Sequence, residues 1–161
     1  MEFEGKFTVR ASLDKVWKTF MDPNKLKDCM PDLQLLEVFG EDHYRTVVKV
    51  GVSFIKGKFD FDVNVVEKQE PTHARFRAHG KGRGSGVDVD STIDLAETSG
   101  GTEMTWHADA KVVGTLASVG SRVLRSTAEK RVNEFFDCVR VLLEEGHPSL
   151  DRGHRKRGEP G

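Results

Sequence analysis

Apolar and polar residues alternate along most of this chain. Phe3, Phe7 and Val9 alternate with charged residues and a threonine, and this period of two predicts a half-buried strand over residues 2–10. The same alternation returns in the middle of the chain as six further segments separated by short turns. These segments cover residues 33–40, 43–52, 55–69, 72–83, 86–97 and 101–113. Connections this short place neighbouring strands antiparallel, so the pattern predicts a meander.

Helical spacing is confined to two parts of the chain. Ser12 and the pair Asp22-Pro23 are typical helix starts, and they predict two short helices directly after the first strand. Apolar residues then recur at helical spacing over residues 115–145, and Gly146 is a natural end for that helix. A helix of this length reaches about 45 Å, which is enough to cross a whole sheet.

The central strands have one charged face and one apolar face. The charged positions form a basic row between two acidic rows, an arrangement that adjacent antiparallel strands favour in water. They are Lys58, Asp60, Asp62 and Asn64; His73, Arg75, Arg77 and His79; and Asp88, Asp90, Thr92 and Asp94. The predicted fold is therefore α+β, a seven-stranded curved antiparallel sheet wrapped around the long C-terminal helix.

Length and composition narrow the class of protein. The 161 residues fit one domain over residues 1–145, and the polar segment 146–161 is predicted to be a disordered tail. Lys and Arg number 25 against 26 Asp and Glu, so no global field favours nucleic acid as a partner. Cys29 and Cys138 are isolated in the sequence, which is typical of reduced thiols in an intracellular protein. Without a signal segment or an apolar span, we expect a cytoplasmic location.

A run of alternating glycines is the most informative local feature. Gly80, Gly82, Gly84 and Gly86, taken as one strand, fall on the face that carries Phe76. Because glycine weakens a strand, four on one face indicate a close backbone or a hollow. We interpret the run as one side of a hollow between the sheet and the last helix, which suits an apolar ligand.

Patterns for catalysis and metal binding are weak. The Asp88-x-Asp90-x-Thr92 motif matches aspartate-nucleophile phosphatases, but strand alternation continues through it, and a cross-strand charge ladder explains it better. His73 and His79 lie about 20 Å apart along one strand, too far to share a metal ion. No catalytic residue and no metal site is therefore predicted.

The candidate site is predicted between the inner face of the sheet and the N-terminal half of the last helix. Tyr44, Thr46 and Ser91 are expected to orient a ligand through their hydroxyl groups. The remaining lining residues are expected to be Phe59, Phe61, Phe76, Gly82, Gly84, Met104, Trp106, Leu116, Gly120 and Val123. Among these, Gly120 is expected inside the helix, facing the sheet. The mouth of the site is expected at Met30, Pro31, Val52 and Phe54.

Several segments taken in order resemble a known family. They are residues 1–7, Val16-Trp17, Asp22-Pro23, Cys29-Met30-Pro31, Gly80-Lys81-Gly82-Arg83-Gly84, and residues 114–124 continuing to Phe135-Phe136. Over residues 1–145 the chain resembles the CoxG family of carbon monoxide dehydrogenase subunits. That family belongs to the helix-grip superfamily of START domains, polyketide cyclases and the birch pollen allergen.

The resemblance implies a non-catalytic accessory protein of a molybdenum hydroxylase such as aerobic carbon monoxide dehydrogenase. It implies a quinone or another apolar lipid as ligand, no covalently bound cofactor, and a role in membrane recruitment or quinone delivery. The expected partners are an apolar small molecule, the molybdenum hydroxylase and the inner membrane surface. In the tail, Arg152, Arg155, Lys156 and Arg157 are interpreted as solvated charges, with an acidic lipid surface as the alternative.

Three other interpretations stay open from the sequence. The inward aromatic residues could fill the space as an ordinary core. The protein could be an adaptor that docks a redox enzyme while its cavity is incidental. It could also be a cyclase-like or hydrolase-like enzyme, although no inward acid or base is predicted.

Overall fold

The computed structural model describes residues 1–146 and shows a single sheet crossed by one long helix. The seven strands are antiparallel and lie in the order β1-β7-β6-β5-β4-β3-β2. They are β1 (Glu2–Val9), β2 (Leu33–Gly40), β3 (His43–Val52), β4 (Ile55–Gln69), β5 (His73–Gly82), β6 (Ser85–Thr98) and β7 (Gly101–Gly114). The helices are α1 (Leu13–Phe20), α2 (Pro23–Leu26) and α3 (Ser121–Glu145), with a first 3₁₀ turn at Lys27–Cys29 and a second at Thr115–Val119. The predicted fold class is confirmed, and the predicted tail lies outside the described residues except for Gly146.

Capping residues set the predicted ends of the helices. The Ser12 hydroxyl accepts a hydrogen bond from the Lys15 N–H at 3.2 Å, and the Asp22 carboxylate accepts one from the Asn24 N–H at 3.0 Å. These bonds satisfy N–H groups that the first turn of a helix leaves free. Gly146, with φ of 82°, ends α3 in the left-handed conformation that glycine adopts without strain.

The charged face of the sheet is the outer face, as predicted. Arg75 donates to both carboxylate oxygens of Asp90, at 2.8 and 2.6 Å, and also to Glu67 at 3.0 Å. Further along the same pair of strands, His79 lies opposite Asp88, with 2.6 Å between the ring nitrogen and the carboxylate. The hydrogen bonds from Arg75 hold the pKa of Asp90 below its ordinary value of 3.8.

The glycine run is not one strand. Arg83 and Gly84 form a two-residue turn between β5 and β6, with φ of 52° and 68°. Such a turn needs positive φ at both positions, which Gly84 supplies without strain. The turn shifts the alternation, so Gly80 and Gly82 face inward while Gly86 faces outward. The prediction that four glycines share a face is wrong, because it assumed an uninterrupted period of two.

The long helix begins later than predicted. Residues 115–119 form the second 3₁₀ turn, and Gly120 then adopts φ of 102° and ψ of 146°, which ends that turn before α3 starts. Side chains other than glycine rarely adopt this conformation. The prediction that Gly120 lies inside the helix is wrong, because apolar spacing is compatible with a helix on both sides of the break at Leu116 and Val123.

A disulfide replaces the two predicted reduced thiols. Cys29 and Cys138 are bonded, with their Cα atoms 5.5 Å apart and 109 residues of sequence between them. The bond joins the first 3₁₀ turn to the C-terminal half of α3. The expectation of reduced thiols is contradicted, because two isolated cysteines in a sequence carry no sign of their distance in the fold.

Apolar side chains between the sheet and the helices form two separate cores. The first core lies under α1 and the C-terminal half of α3, and the second lies at the β3–β4 hairpin and the second 3₁₀ turn. The buried residues of the first core are Phe7, Val9, Val16, Trp17, Phe20, Leu26, Cys29, Ala74, Ile93, Leu95, Met104, Val139 and Leu143. Those of the second core are Val52, Ile55, Phe59 and Leu116.

Candidate ligand site between the two cores

Three rows of inner-face residues lie between the two cores. We call them the middle rows, and each follows the register across the sheet. They are Thr46, Phe61, Gly80, Val87 and Val112; Tyr44, Val63, Ala78, Val89 and Ala110; and Val65, Phe76, Ser91, Ala108 and Phe3. All except Thr46 and Gly80 are only half-buried, although α3 crosses this face. Solvent therefore reaches a space between the sheet and the helix that side chains do not fill.

Small side chains on both sides account for this space. The middle rows contain three alanines, which are Ala78, Ala108 and Ala110. The helix contributes Ala128, which lies one turn after Leu124 and about two turns before Phe135. Leu124 packs against the second core and Phe135 against the first, so Ala128 faces the gap between them.

Two arginines hold the N-terminal half of α3 at its flanks. Arg125 donates to the backbone oxygen of Glu2 at 2.9 Å, and its guanidinium lies 4.7 Å from the ring centre of Phe3. On the other flank, Arg131 pairs with Asp32 at 3.2 Å. These contacts fix the height of the helix above the sheet without placing side chains beneath it.

Three hydroxyl groups of the middle rows have no hydrogen-bond partner among the described residues. They belong to Tyr44, Thr46 and Ser91, the residues predicted to orient a ligand. Thr46 is only 7% exposed, and burial raises the pKa of Tyr44 to about 12. Buried polar groups are nearly always hydrogen-bonded, so free hydroxyls here indicate room for a polar atom of a ligand or for water.

A groove of about 370 Å³ opens beside this space, between β1 and α3. Phe3, Trp106, Arg125 and Val132 are among its lining residues. The half-buried Trp106 also contacts Phe136 of the helix, with ring centres 5.7 Å apart. Trp106 therefore lies where the inner face of the sheet meets solvent.

The predicted lining residues divide between the middle rows and the cores. Phe61 and Phe76 join the three hydroxyl residues in the middle rows, as the sequence analysis expects. Phe59 and Met104 are each 1% exposed and belong to the second and first core, respectively. For these two residues, the interpretation as an ordinary core is the correct one. Leu116 is likewise buried in the second core.

The inward glycines serve aromatic rings rather than an open hollow. A Cβ atom on Gly82 would lie 2.5 Å from the backbone oxygen of Lys58 and 3.0 Å from the ring of Phe59. At Gly80 the ring of Phe61 occupies the same place. The space in the middle rows therefore comes from alanine and serine, and the interpretation of the glycine run as its lining is corrected.

Three other predicted lining residues lie away from the middle rows. Gly84 is exposed in the turn after β5, and Gly120 precedes α3 with no described atom within 4 Å of a Cβ position. Val123 is 41% exposed on the first turn of α3. Sequence reasoning missed Ala108, Ala110 and Ala128 as lining residues; their shared small size at matching inner positions is the pattern that could have identified them.

The predicted mouth residues do not meet at one point. Met30 packs against the first core, whereas Val52 is buried in the second, next to Leu116. Pro31 is half-buried between the two. Phe54 is 66% exposed at the tip of the β3–β4 hairpin. Only Val52 and Phe54, on one hairpin, lie at the same end of the sheet.

The middle rows offer apolar contact and hydroxyl groups. Tyr44 is their one titratable side chain, and with a pKa of about 12 it is neutral at physiological pH. Within residues 1–146, no group of three or more His, Cys, Asp or Glu residues is placed to hold a metal ion. None of the described helices is long and apolar enough to span a membrane.

The model of the CoxG family of carbon monoxide dehydrogenase subunits matches residues 5–143. The chain belongs to the CoxG family. A similar solved structure is the conserved protein from Geobacillus kaustophilus, which is 28% identical with a TM-score of 0.83. The match covers 91% of this CoxG-family chain and 97% of that protein. No curated protein matches the chain.

More distant structures share the fold of this CoxG-family chain. Protein CV1439 from Chromobacterium violaceum is 17% identical with a TM-score of 0.67, covering 89% of this chain and 98% of that one. The di-domain ARO/CYC StfQ from the steffimycin biosynthetic pathway is 10% identical with a TM-score of 0.65. That match covers 90% of this chain and 51% of StfQ, so the chain spans about half of StfQ. The predicted family and the helix-grip fold are both confirmed.

Proposed function

We propose that this chain binds an apolar lipid between its sheet and α3, without catalysing a reaction on it. The observation that carries the proposal is the half-buried middle rows, which lie between two well-packed cores. A pocket that is mostly apolar with a few convergent polar groups is typical of small-molecule binding. The middle rows have that composition.

The free hydroxyls favour a quinone-like lipid as the ligand. A quinone combines an apolar ring and tail with carbonyl oxygens that accept hydrogen bonds. Tyr44 and Thr46 lie two residues apart on one face of β3 and can both donate. The aromatic rings of Phe61, Phe76 and Trp106 supply flat apolar surfaces for the ring to contact.

Membership of the CoxG family supports the choice of partner. The family takes its name from a component of carbon monoxide dehydrogenase. We propose that the chain is an accessory protein of a molybdenum hydroxylase of that type, acting in membrane recruitment or in delivery of a quinone. The absence of an acid or base from the middle rows supports a binding role over the chemistry of a cyclase or hydrolase.

Native mass spectrometry of gently purified protein tests the proposed ligand. The wild type is expected to retain an apolar lipid that organic extraction releases and identifies. Ala128→Phe is expected to abolish retention with only a small change in melting temperature, because the new ring enters empty space. Ala96→Phe is the matched control, since Ala96 is exposed on the outer face of β6, and it is expected to retain the lipid.

A close-packed interior would give a different result. Overpacking costs about 1–3 kcal/mol in a filled core and would lower the melting temperature markedly. If Ala128→Phe behaves in that way and the wild type retains no lipid, the carrier function is wrong. If Ala128→Phe loses the lipid but still captures the purified molybdenum enzyme, docking is independent of the cavity and the adaptor function is favoured.

A further inference from the structure

Three segments of the chain contain basic residues and no acidic ones. They are residues 47–59, 80–87 and 110–128. Their basic residues are Lys49, Lys56, Lys58, Lys81, Arg83, Lys111, Arg122 and Arg125. The net charge of −1 for the whole chain therefore conceals a strong separation of charge.

The fold brings these segments to one end of the sheet, which we call the basic end. They form the β3–β4 hairpin, the β5–β6 turn and the connection from β7 into α3. Phe54, Ile55, Arg83 and Thr115 from the three segments line one groove of about 380 Å³. The backbone N–H of Thr115 also donates to the oxygen of Gly84 at 3.3 Å.

Several cations of the basic end have no acidic partner. Lys49, Lys56, Lys58, Arg83 and Arg122 form no ion pair among the described residues. Lys49 and Lys58 lie directly opposite each other across the β3–β4 ladder. Like charges in this position destabilise a sheet, so the fold itself gains nothing from them. An anionic surface outside the protein would compensate this charge.

Exposed apolar side chains accompany these cations. Phe54 is 66% exposed at the hairpin tip, and Val113 is 62% exposed on the outer face of β7. Directly behind Phe54, the second core separates the tip from the middle rows. An aromatic tip ringed by lysines suits the boundary between lipid headgroups and acyl chains, where each part finds its preferred surroundings.

We propose that the basic end docks onto an anionic lipid bilayer, with Phe54 inserted below the headgroups and the lysines contacting lipid phosphates. The assignment of this surface rests on charge and exposure within the domain itself. Only its purpose rests on the proposed function: docking would place the second core, as the door to the middle rows, against the source of the lipid ligand.

Vesicle sedimentation of the full chain tests the docking surface. The wild type is expected to bind vesicles of equimolar phosphatidylcholine and phosphatidylglycerol, to bind phosphatidylcholine alone weakly, and to release from the anionic vesicles at high salt. The double variant Lys56→Glu, Lys58→Glu is expected to bind at least about ten-fold more weakly. Phe54→Ser is expected to weaken binding several-fold at any salt concentration.

Two matched controls separate the effect of this surface from the effects of net charge and of the tail. Lys25→Glu with Lys27→Glu makes the same change in net charge on exposed residues elsewhere and is expected to bind like the wild type. A full-length variant with Arg152, Arg155, Lys156 and Arg157 all changed to Gln tests the tail and is expected to keep most of the binding. Native mass spectrometry of each variant measures lipid retention separately.

The outcomes distinguish docking from ligand binding. If the wild type does not bind anionic vesicles, or if the tail variant or the control pair abolishes binding while the hairpin variant keeps it, the docking surface is wrong. Retention of lipid in those same preparations would leave the carrier function standing. Conversely, vesicle binding without any retained lipid would support docking and contradict the proposed function.

Discussion

Thr46 and Thr102 are both buried threonines on strands, but their hydroxyl groups have different surroundings. The Thr102 hydroxyl donates to the backbone oxygen of Ala11 at 2.8 Å, whereas the Thr46 hydroxyl has no partner among the described residues. A satisfied buried hydroxyl stabilises the fold, and an unsatisfied one does not. The pair therefore separates residues that serve the fold from residues available to a ligand.

We expect Thr46→Val to leave the free energy of unfolding of the lipid-free protein unchanged or slightly higher, because it removes an unsatisfied polar group. The matched change Thr102→Val is expected to cost about 1 kcal/mol, because it deletes a hydrogen bond and leaves the Ala11 oxygen free. Chemical denaturation measures both. Lipid retention should weaken in Thr46→Val alone; equal destabilisation by the two changes would mean that Thr46 is structural.

At the scale of elements, the disulfide ties α3 to the loop in front of β2. Cys29 is buried in the first core, and Cys138 lies on the C-terminal half of the helix, so the bond closes a loop across most of the sheet. The N-terminal half of α3 has only the flanking contacts of Arg125 and Arg131. The helix is thus held firmly at one end and loosely above the middle rows.

Reduction of the disulfide is expected to lower the free energy of unfolding by about 2–4 kcal/mol, because the unfolded chain gains the freedom that a long closed loop removes. Guanidinium denaturation with and without dithiothreitol measures this loss. The double variant Cys29→Ser, Cys138→Ser should match the reduced protein and be indifferent to the reductant. Titration of two free thiols in the untreated native protein would contradict the bond.

At the scale of the whole molecule, ion pairs cover the outer face away from the basic end and make stability sensitive to acid. Arg75 lowers the pKa of Asp90, and His73 followed by Arg75 lowers that of Glu67. A carboxyl group whose pKa is lowered by folding adds stability above its unfolded pKa, and this stability is lost as the pH falls through the folded value. Acid should therefore weaken the protein below about pH 4, where these groups begin to take up protons.

Arg75→Gln tests that origin of the acid sensitivity. We expect it to lower the urea midpoint at about pH 7 and to differ little from the wild type at about pH 2.5, where Asp90 is protonated in both proteins. Arg77→Gln is the control, because Arg77 is 60% exposed and lies 3.6 Å from Asp90, and its effect should be smaller throughout. A difference at Arg75 that does not change with pH would exclude the ion pair as its cause.

The strands, their antiparallel order and the charged outer face were predictable from the sequence, because alternation, turn residues and caps act over a few neighbouring positions. The order of short segments likewise identified the CoxG family. The same local information indicated Tyr44, Thr46 and Ser91 as the polar residues of the inner face.

Other features depended on distances that only the folded chain sets. The pairing of Cys29 with Cys138 joins residues that no local pattern connects. The positive φ at Gly120 and the turn at Gly84 changed which residues face inward, because a change of phase in one turn moves every later side chain. The gap between the two cores, and the gathering of unpaired cations at one end, arise where separate segments meet, so tertiary structure alone decided the site and its surface.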